Sequence, residues 1–133
     1  MFRHRIKVRY AETDQMGVVH HSVYAVYFEE ARVAYMEHLG FPYHRMEEEG
    51  ILLPLLELHV RFRKPARFGD TLEVEVKPYV KGARLFVDYA VFRDGEILAE
   101  GTTVHAFTDP SLRPMRPPER IRKLFSQTPL SAD

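Results

Sequence analysis

The segment ETDQMGVVHHSVY, residues 12–24, gathers two acids, a glycine, two adjacent histidines and a tyrosine between two different hydrophobic patterns. Asp14 sits just ahead of a helical pattern that starts near Ser22. A helix N-terminus offers unpaired N–H groups and a partial positive charge, which suit a bound anion or a developing oxyanion. A carboxylate beside such groups is half of an acyl-transfer site. It can activate water or attack a carbonyl itself, while the amides hold the carbonyl oxygen. Gly17 lets backbone come close to a ligand. The same residue types have a second use, because Asp and Thr ahead of a helix are common caps and turn formers. Residue types alone leave Asp14 open between a reactive carboxylate and a local hydrogen-bonding group. A metal site is a third option, and a weak one. His20 and His21 are adjacent, so their side chains point apart and do not readily chelate one ion, even with Glu12 and Asp14 nearby.

The elements that must position this segment are legible on either side. Phe2, His4, Ile6, Val8 and Tyr10 alternate with Arg3, Arg5, Lys7 and Arg9, the pattern of a half-buried strand. From Ser22, an N-cap type, the period becomes helical: Tyr24, Tyr27, Phe28, Ala31, Ala34, Tyr35 and Leu39 share a face. These tyrosines read as core. Gly40 followed by Pro42 is a stop signal. Residues 43–50 read as a polar connection. Four further strand patterns follow: Leu56, Leu58, Val60 and Phe62; Leu72, Val74 and Val76; Leu85, Val87, Tyr89 and Val91; and a last long strand over 97–108. Lys81-Gly82 and Asp94-Gly95 are hairpin turn signals. Pro118 precedes a short helical pattern with Ile121, Leu124 and Phe125 apolar. Strand, loop, long buried helix and four antiparallel strands make an α+β fold with the helix on one face of the sheet.

The 133 residues fit one domain, taken as 1–133. The chain has no cysteine, which excludes disulfides, thiolate zinc sites, iron–sulfur clusters and a cysteine nucleophile, and suits a reducing compartment. Nineteen basic and 19 acidic side chains cancel, so no net field draws the molecule to nucleic acid or anionic lipid. The basic face of the first strand reads as solvated. No apolar run approaches the ~20 residues of a spanning helix, and MFRHRIKVRY lacks the apolar stretch of a signal peptide. The expectation is a cytoplasmic protein without membrane insertion.

The longer stretch VRYAETDQMGVVHHSVYAVYFEEARVAYM resembles the signature of the 4-hydroxybenzoyl-CoA thioesterase family, specifically its branch of bacterial acyl-CoA thioesterases associated with the Tol–Pal system. Tyr10, Glu12, Thr13, Asp14, Gly17, Val18, Val19, His21 and Tyr24 occupy positions of that signature. His20 stands where the family often has tyrosine or another aromatic. Downstream, KPARFGDTLEVEV resembles the family's turn into a strand. The resemblance implies a hotdog fold, a long central helix wrapped by a curved antiparallel sheet of about five strands, in a homodimer or a homotetramer with active sites between subunits. It implies an acyl-CoA thioesterase that needs no metal or other cofactor. In it Asp14 would be the catalytic carboxylate and the His21 N–H would polarise the thioester carbonyl, with the His21 side chain shaping the site. Tyr10, Gly17, Val18, His20 and Tyr24 would line the substrate site. Lys81 and Arg84 lie where relatives contact the phosphates of coenzyme A, a task that suits lysine and arginine. Two rival readings are a hotdog domain that binds acyl-CoA without hydrolysing it, and a hotdog hydratase or dehydratase. Release of free thiol from acyl-CoA separates all three.

Overall fold

The computed structural model describes residues 2–126, so residue 1 and residues 127–133 of the expected domain span lie outside the described residues. Strand β1 (Arg3–Lys7) leads through a 3-10 turn (Tyr10–Glu12) to helix α1 (Val23–His38). Helix α2 (Tyr43–Glu48) follows, then strands β2 (Leu55–Phe62), β3 (Thr71–Lys81), β4 (Arg84–Arg93) and β5 (Glu96–Ala106), and helix α3 (Glu119–Ser126). The five strands form one antiparallel sheet in the order β1-β3-β4-β5-β2. This is the expected α+β arrangement, and helix α1 lies against the inner face of the sheet.

Helix α1 forms because Tyr24, Tyr27, Phe28, Ala31 and Tyr35 recur at helical spacing, and all five are buried. It ends where expected. Gly40 has φ +82°, and the amides of Gly40 and Phe41 donate to the carbonyls of Glu37 and Met36 at 3.0 and 3.1 Å, a Schellman closure with Phe41 packed beneath. Ser22 does not act as expected. Its backbone is already helical and its hydroxyl makes no cap bond. Residues 43–50 are not a plain polar connection either: α2 buries Met46 completely. Six residues with one apolar anchor carry too little periodicity to be read.

Strands β3 and β4 bury alternate residues, with Val74 opposite Val91 and Val76 opposite Tyr89. The Asp94-Gly95 turn is as expected, both residues having positive φ between the paired Arg93 and Glu96. The other hairpin turns one residue later than the sequence suggests, at Gly82-Ala83, because Lys81 pairs with Arg84. Tyr10 is not on the buried face of β1. The strand stops at Lys7 and the 3-10 turn swings Tyr10 out, 77% exposed. Strand β2 departs most from its pattern. It pairs only with β5 and has a register shift between Leu55 and Glu57. Leu55, Leu56, Leu58 and Phe62 all remain exposed.

The helix seats through Phe28, which is fully buried and stacks on Tyr89 with ring centroids 4.3 Å apart. On β5, directly beside this stack, stands Gly101. A methyl group there would lie 2.5 Å from Phe28 Cε2 and 2.7 Å from the His59 carbonyl oxygen.

One turn further along α1 a buried polar chain begins. Arg32 Nη1 donates to the Tyr89 hydroxyl (2.9 Å), which lies 2.8 Å from Thr103 Oγ1, which lies 2.9 Å from His105 Nε2. His105 Nδ1 lies 3.2 Å from the Leu53 carbonyl oxygen. That oxygen can only accept, so Nδ1 carries the proton and Nε2 accepts from Thr103. Thr103 in turn accepts from Tyr89. Every donor therefore points away from Arg32. Burial, then the nearby Arg32 charge, lower the His105 pKa to about 4 against the small opposing effect of the Leu53 bond.

Two outcomes are expected. Gly101→Ala should lower stability by about 1–3 kcal/mol through overpacking, read by thermal unfolding; an unchanged melting temperature would mean that Phe28 can move aside. His105 sets a pH dependence. Between about pH 6.5 and pH 4 the unfolded chain binds a proton that the folded one refuses, so stability falls as pH falls across that window. Denaturant titrations should show His105→Asn losing less stability than the parent over this window, by up to about 3 kcal/mol.

Candidate active site

The connection between β1 and α1 is a small structure closed on itself. The Asp14 amide donates to the Val18 carbonyl at 2.8 Å, and the Gly17 amide to the Asp14 carbonyl at 3.0 Å. Gly17 takes φ +79°, which the turn requires. Thr13 bridges to Val19 and Val18 to Arg67, while the Val19 amide donates to the Ala66 carbonyl, so the turn is fastened to the strand-to-strand connection that precedes β3. The two oxygens of the Asp14 side chain have different surroundings. Oδ1 accepts from the amides of Met16 (2.8 Å) and Val18 (3.3 Å), a local turn closure. Among the described residues Oδ2 has no hydrogen-bond partner. A half-buried carboxylate is thus fixed by one oxygen and open at the other. Tyr10, Thr13, Gln15, Met16 and His20 line the cavity with it, about 700 Å³ in volume.

The start of α1 follows directly in the chain. The amides of Val23 and Tyr24 donate to the carbonyls of His20 and His21 in short-range turns, and Ser22 caps nothing. The His21 and Ser22 amides have no acceptor among the described residues. They are free donors at the positive end of a 16-residue helix.

What fastens the turn to the helix is Glu12, which the sequence presents only as one acid of the segment. It is buried, and its Oε1 accepts from the Arg9 amide (2.9 Å) and the Tyr27 hydroxyl (2.8 Å). Its Oε2 lies 3.1 Å from both Arg9 Nε and Nη2. Burial alone would raise the Glu12 pKa, but the Arg9 amide, the Tyr27 hydroxyl and the Arg9 guanidinium outweigh it and hold the carboxyl below the usual carboxylate range. Burial and the Glu12 charge push the Tyr27 hydroxyl well above its ordinary value. The acid is favoured as the anion and the phenol as the donor.

The remaining residues fall into three places. Tyr10 and His20 share the cavity of Asp14. Val18, His21 and Tyr24 border a neighbouring cavity of about 220 Å³ with Phe62, Arg63 and Lys64, where the His21 ring lies 4.5 Å from Phe62. The imidazole of His21 and the carboxylate of Asp14 therefore do not share one cavity within a protomer. Lys81 and Arg84 are at the far end of β3 and β4, about 30 Å of strand from Thr71. Arg84 lies 4.0 Å from Glu57. The basic residues that do border the His21 cavity are already engaged, Arg63 with Glu100 and Lys64 with Glu96. Among the described residues, no three His, Asp or Glu side chains converge as a metal site would need. None of their helices is long and apolar enough to cross a membrane.

Comparison with known proteins bears on this geometry. Over 124 residues the chain is 36% identical to YneP of Bacillus subtilis, covering 90% of this chain and 86% of that protein. It is 28% identical over 130 residues to the acyl-CoA thioester hydrolase YbgC of Escherichia coli, covering 96% and 97%. The crystal structure of the hypothetical protein TT1821 from Thermus thermophilus superposes with a TM-score of 0.89 at 50% identity, covering 95% of this chain and 98% of that one. Residues 8–125, which include the Asp14 turn, the whole of α1 and all of the sheet after β1, match the thioesterase-like superfamily. The chain belongs to the thioesterase-like superfamily and has its hotdog fold.

Proposed function

We propose that the protein hydrolyses the thioester bond of an acyl-CoA, releasing the free acid and coenzyme A. The observation that carries this reading is the divided Asp14 carboxylate, one oxygen held by loop amides and the other open to a cavity, beside a helix start with two free amides. The open oxygen takes a proton from water, or attacks the thioester carbon directly. In either case negative charge builds on the carbonyl oxygen, and in this reading the free His21 and Ser22 amides receive it. The name of YbgC supports the substrate class, and the signature around Asp14 supports the Tol–Pal-associated branch of the 4-hydroxybenzoyl-CoA thioesterase family. A passive acyl-CoA-binding domain is the second reading; it has no use for a carboxylate held open at the carbonyl. We take residues 1–133 as one catalytic domain that works in the cytoplasm.

The working unit is proposed to be a homodimer or a dimer of dimers. Strand β2 is an edge with unpaired backbone, and Leu55, Leu56, Leu58 and Phe62 on it are exposed together with Val26 of α1. Edges of this kind are paired or covered. In such a pair Lys81 and Arg84 of one protomer could serve the coenzyme A bound by another.

Asp14→Asn should cut kcat by about 10²–10⁴ in a free-thiol assay over a panel of acyl-CoAs. Stability should change by about 1 kcal/mol or less, because Asn keeps the bonds made by Oδ1. A fully active Asp14→Asn protein would remove this loop from the chemistry. In sedimentation at micromolar concentration the protein should run at two or four times its 15.6 kDa. Leu58→Glu should shift it towards monomer, and a parent that is only monomeric would refute the paired site.

A further inference from the structure

Arg32 presents a charge that the hydrolysis does not use. Of its five N–H groups, one on Nε reaches the Tyr43 hydroxyl at 3.0 Å and one on Nη1 the Tyr89 hydroxyl at 2.9 Å. Both partners are neutral, and Arg32 forms no ion pair among the described residues. Every fully buried side-chain nitrogen and oxygen among them has a partner, so Nη2, which makes no hydrogen bond among the described residues, is not fully buried and reaches open space. That space is a cavity of about 490 Å³ between α1 and the residues ahead of β2, with Tyr43, Ile51, Leu53, Pro54 and Leu112 in its walls. A second cavity of about 320 Å³ shares Glu29, Arg32 and Leu53 with the first and extends to Ala25 and Val26 in the first turn of α1. A half-buried guanidinium with free donors in apolar walls calls for an anion with an apolar body.

We propose that Arg32 and Tyr43 form a carboxylate-binding subsite that takes a monocarboxylate with an aliphatic or aromatic body. The charge around the cavity sets that limit. Glu29 and Glu47 stand at its exposed rim and repel a phosphate or any polyanion, while His105, neutral in the fold, adds no charge. The carboxylate has two possible sources. One is a free carboxylic acid. The other is the far end of an ω-carboxylated acyl chain whose thioester lies at the start of α1. Arg32 follows His21 by eleven positions, about 16 Å at helical rise, the span of an acyl chain of about a dozen carbons. Only this second source rests on the thioesterase reading.

The test uses the whole protein. Millimolar hexanoate should raise the melting temperature of the parent, and hexanamide, its uncharged counterpart, should not. Arg32→Met should lose the hexanoate effect and Tyr43→Phe should weaken it. Asp14→Asn should keep it, whether or not the protein is a thioesterase. Dodecanedioyl-CoA and dodecanoyl-CoA then separate the sources. If the acyl tail is the ligand, the ratio of their kcat/KM values should fall about tenfold or more in Arg32→Met; an unchanged ratio with the hexanoate effect lost assigns the subsite to free acids. Equal shifts from hexanoate and hexanamide in the parent would overturn the proposal even if Arg32→Met fails to fold. So would hexanoate stabilisation that survives in Arg32→Met or vanishes in Asp14→Asn.

Discussion

How close helix α1 can come to β5 governs the rest of the molecule. Phe28 reaches the sheet only because Gly101 has no side chain, and it then stacks on Tyr89 of β4. With that ring seated, the turns on either side of it are fixed in height and rotation. Tyr27, beside Phe28 in the sequence, meets Glu12, and Arg32, one turn on, meets Tyr89 and Tyr43. One tight apolar contact therefore sets the position of two polar ones, one on each side of it along the helix. Dense interiors transmit position in this way because they have no slack to absorb a shift.

The two polar contacts differ in kind. Glu12 is a buried anion with a cation at hand: Arg9 contributes an amide and a guanidinium, and Tyr27 completes the set. Such a group is satisfied, and its role is to hold the Asp14 turn against the helix. Arg32 is a half-buried cation among neutral partners, and one of the two hydroxyls it bonds, that of Tyr89, begins a relay of donors through Thr103 and His105 to the Leu53 carbonyl. Aligned bonds of this sort strengthen one another. They soften the cost of the charge without cancelling it.

Where residues interact with near neighbours in the chain, the sequence was a good guide. Helix α1 and its glycine stop, the alternation of β3 and β4 and the Asp94-Gly95 turn are all local patterns. Asp14, Gly17 and the free amides around His21 also lie within one short segment, so the grouping of a carboxylate with a helix start was legible in it. The misreadings involve distant partners. Glu12 meets Tyr27 fifteen residues away and only through tertiary packing. Arg32 looks like one more charge on a helix until Tyr43 and Tyr89 are seen around it. Strand β2 carries the apolar alternation of a buried strand, yet the described residues leave Leu55, Leu56, Leu58 and Phe62 exposed, and a pattern cannot say whether a strand lies at the edge of its sheet. Tyr10 followed the alternation of β1 but lies past the point where that strand stops pairing.

The strand order has a kinetic consequence. Strands β3, β4 and β5 are joined by two-residue hairpins, so their pairing closes almost no loop. Strands β1 and β2 pair with partners far away in sequence, Arg3 with Glu75 and Leu55 with His105. Loop-closure entropy delays such pairings and makes them the first to be given up when the structure opens locally. The Asp14 turn hangs between β1 and α1 and is fastened to the segment that joins β2 to β3. It belongs to the late-forming periphery of the sheet rather than to its central meander. Among the described residues the Asp14 turn is thus expected to become native after the central hairpins, and the cavity it borders takes shape only once the sheet beneath it is paired.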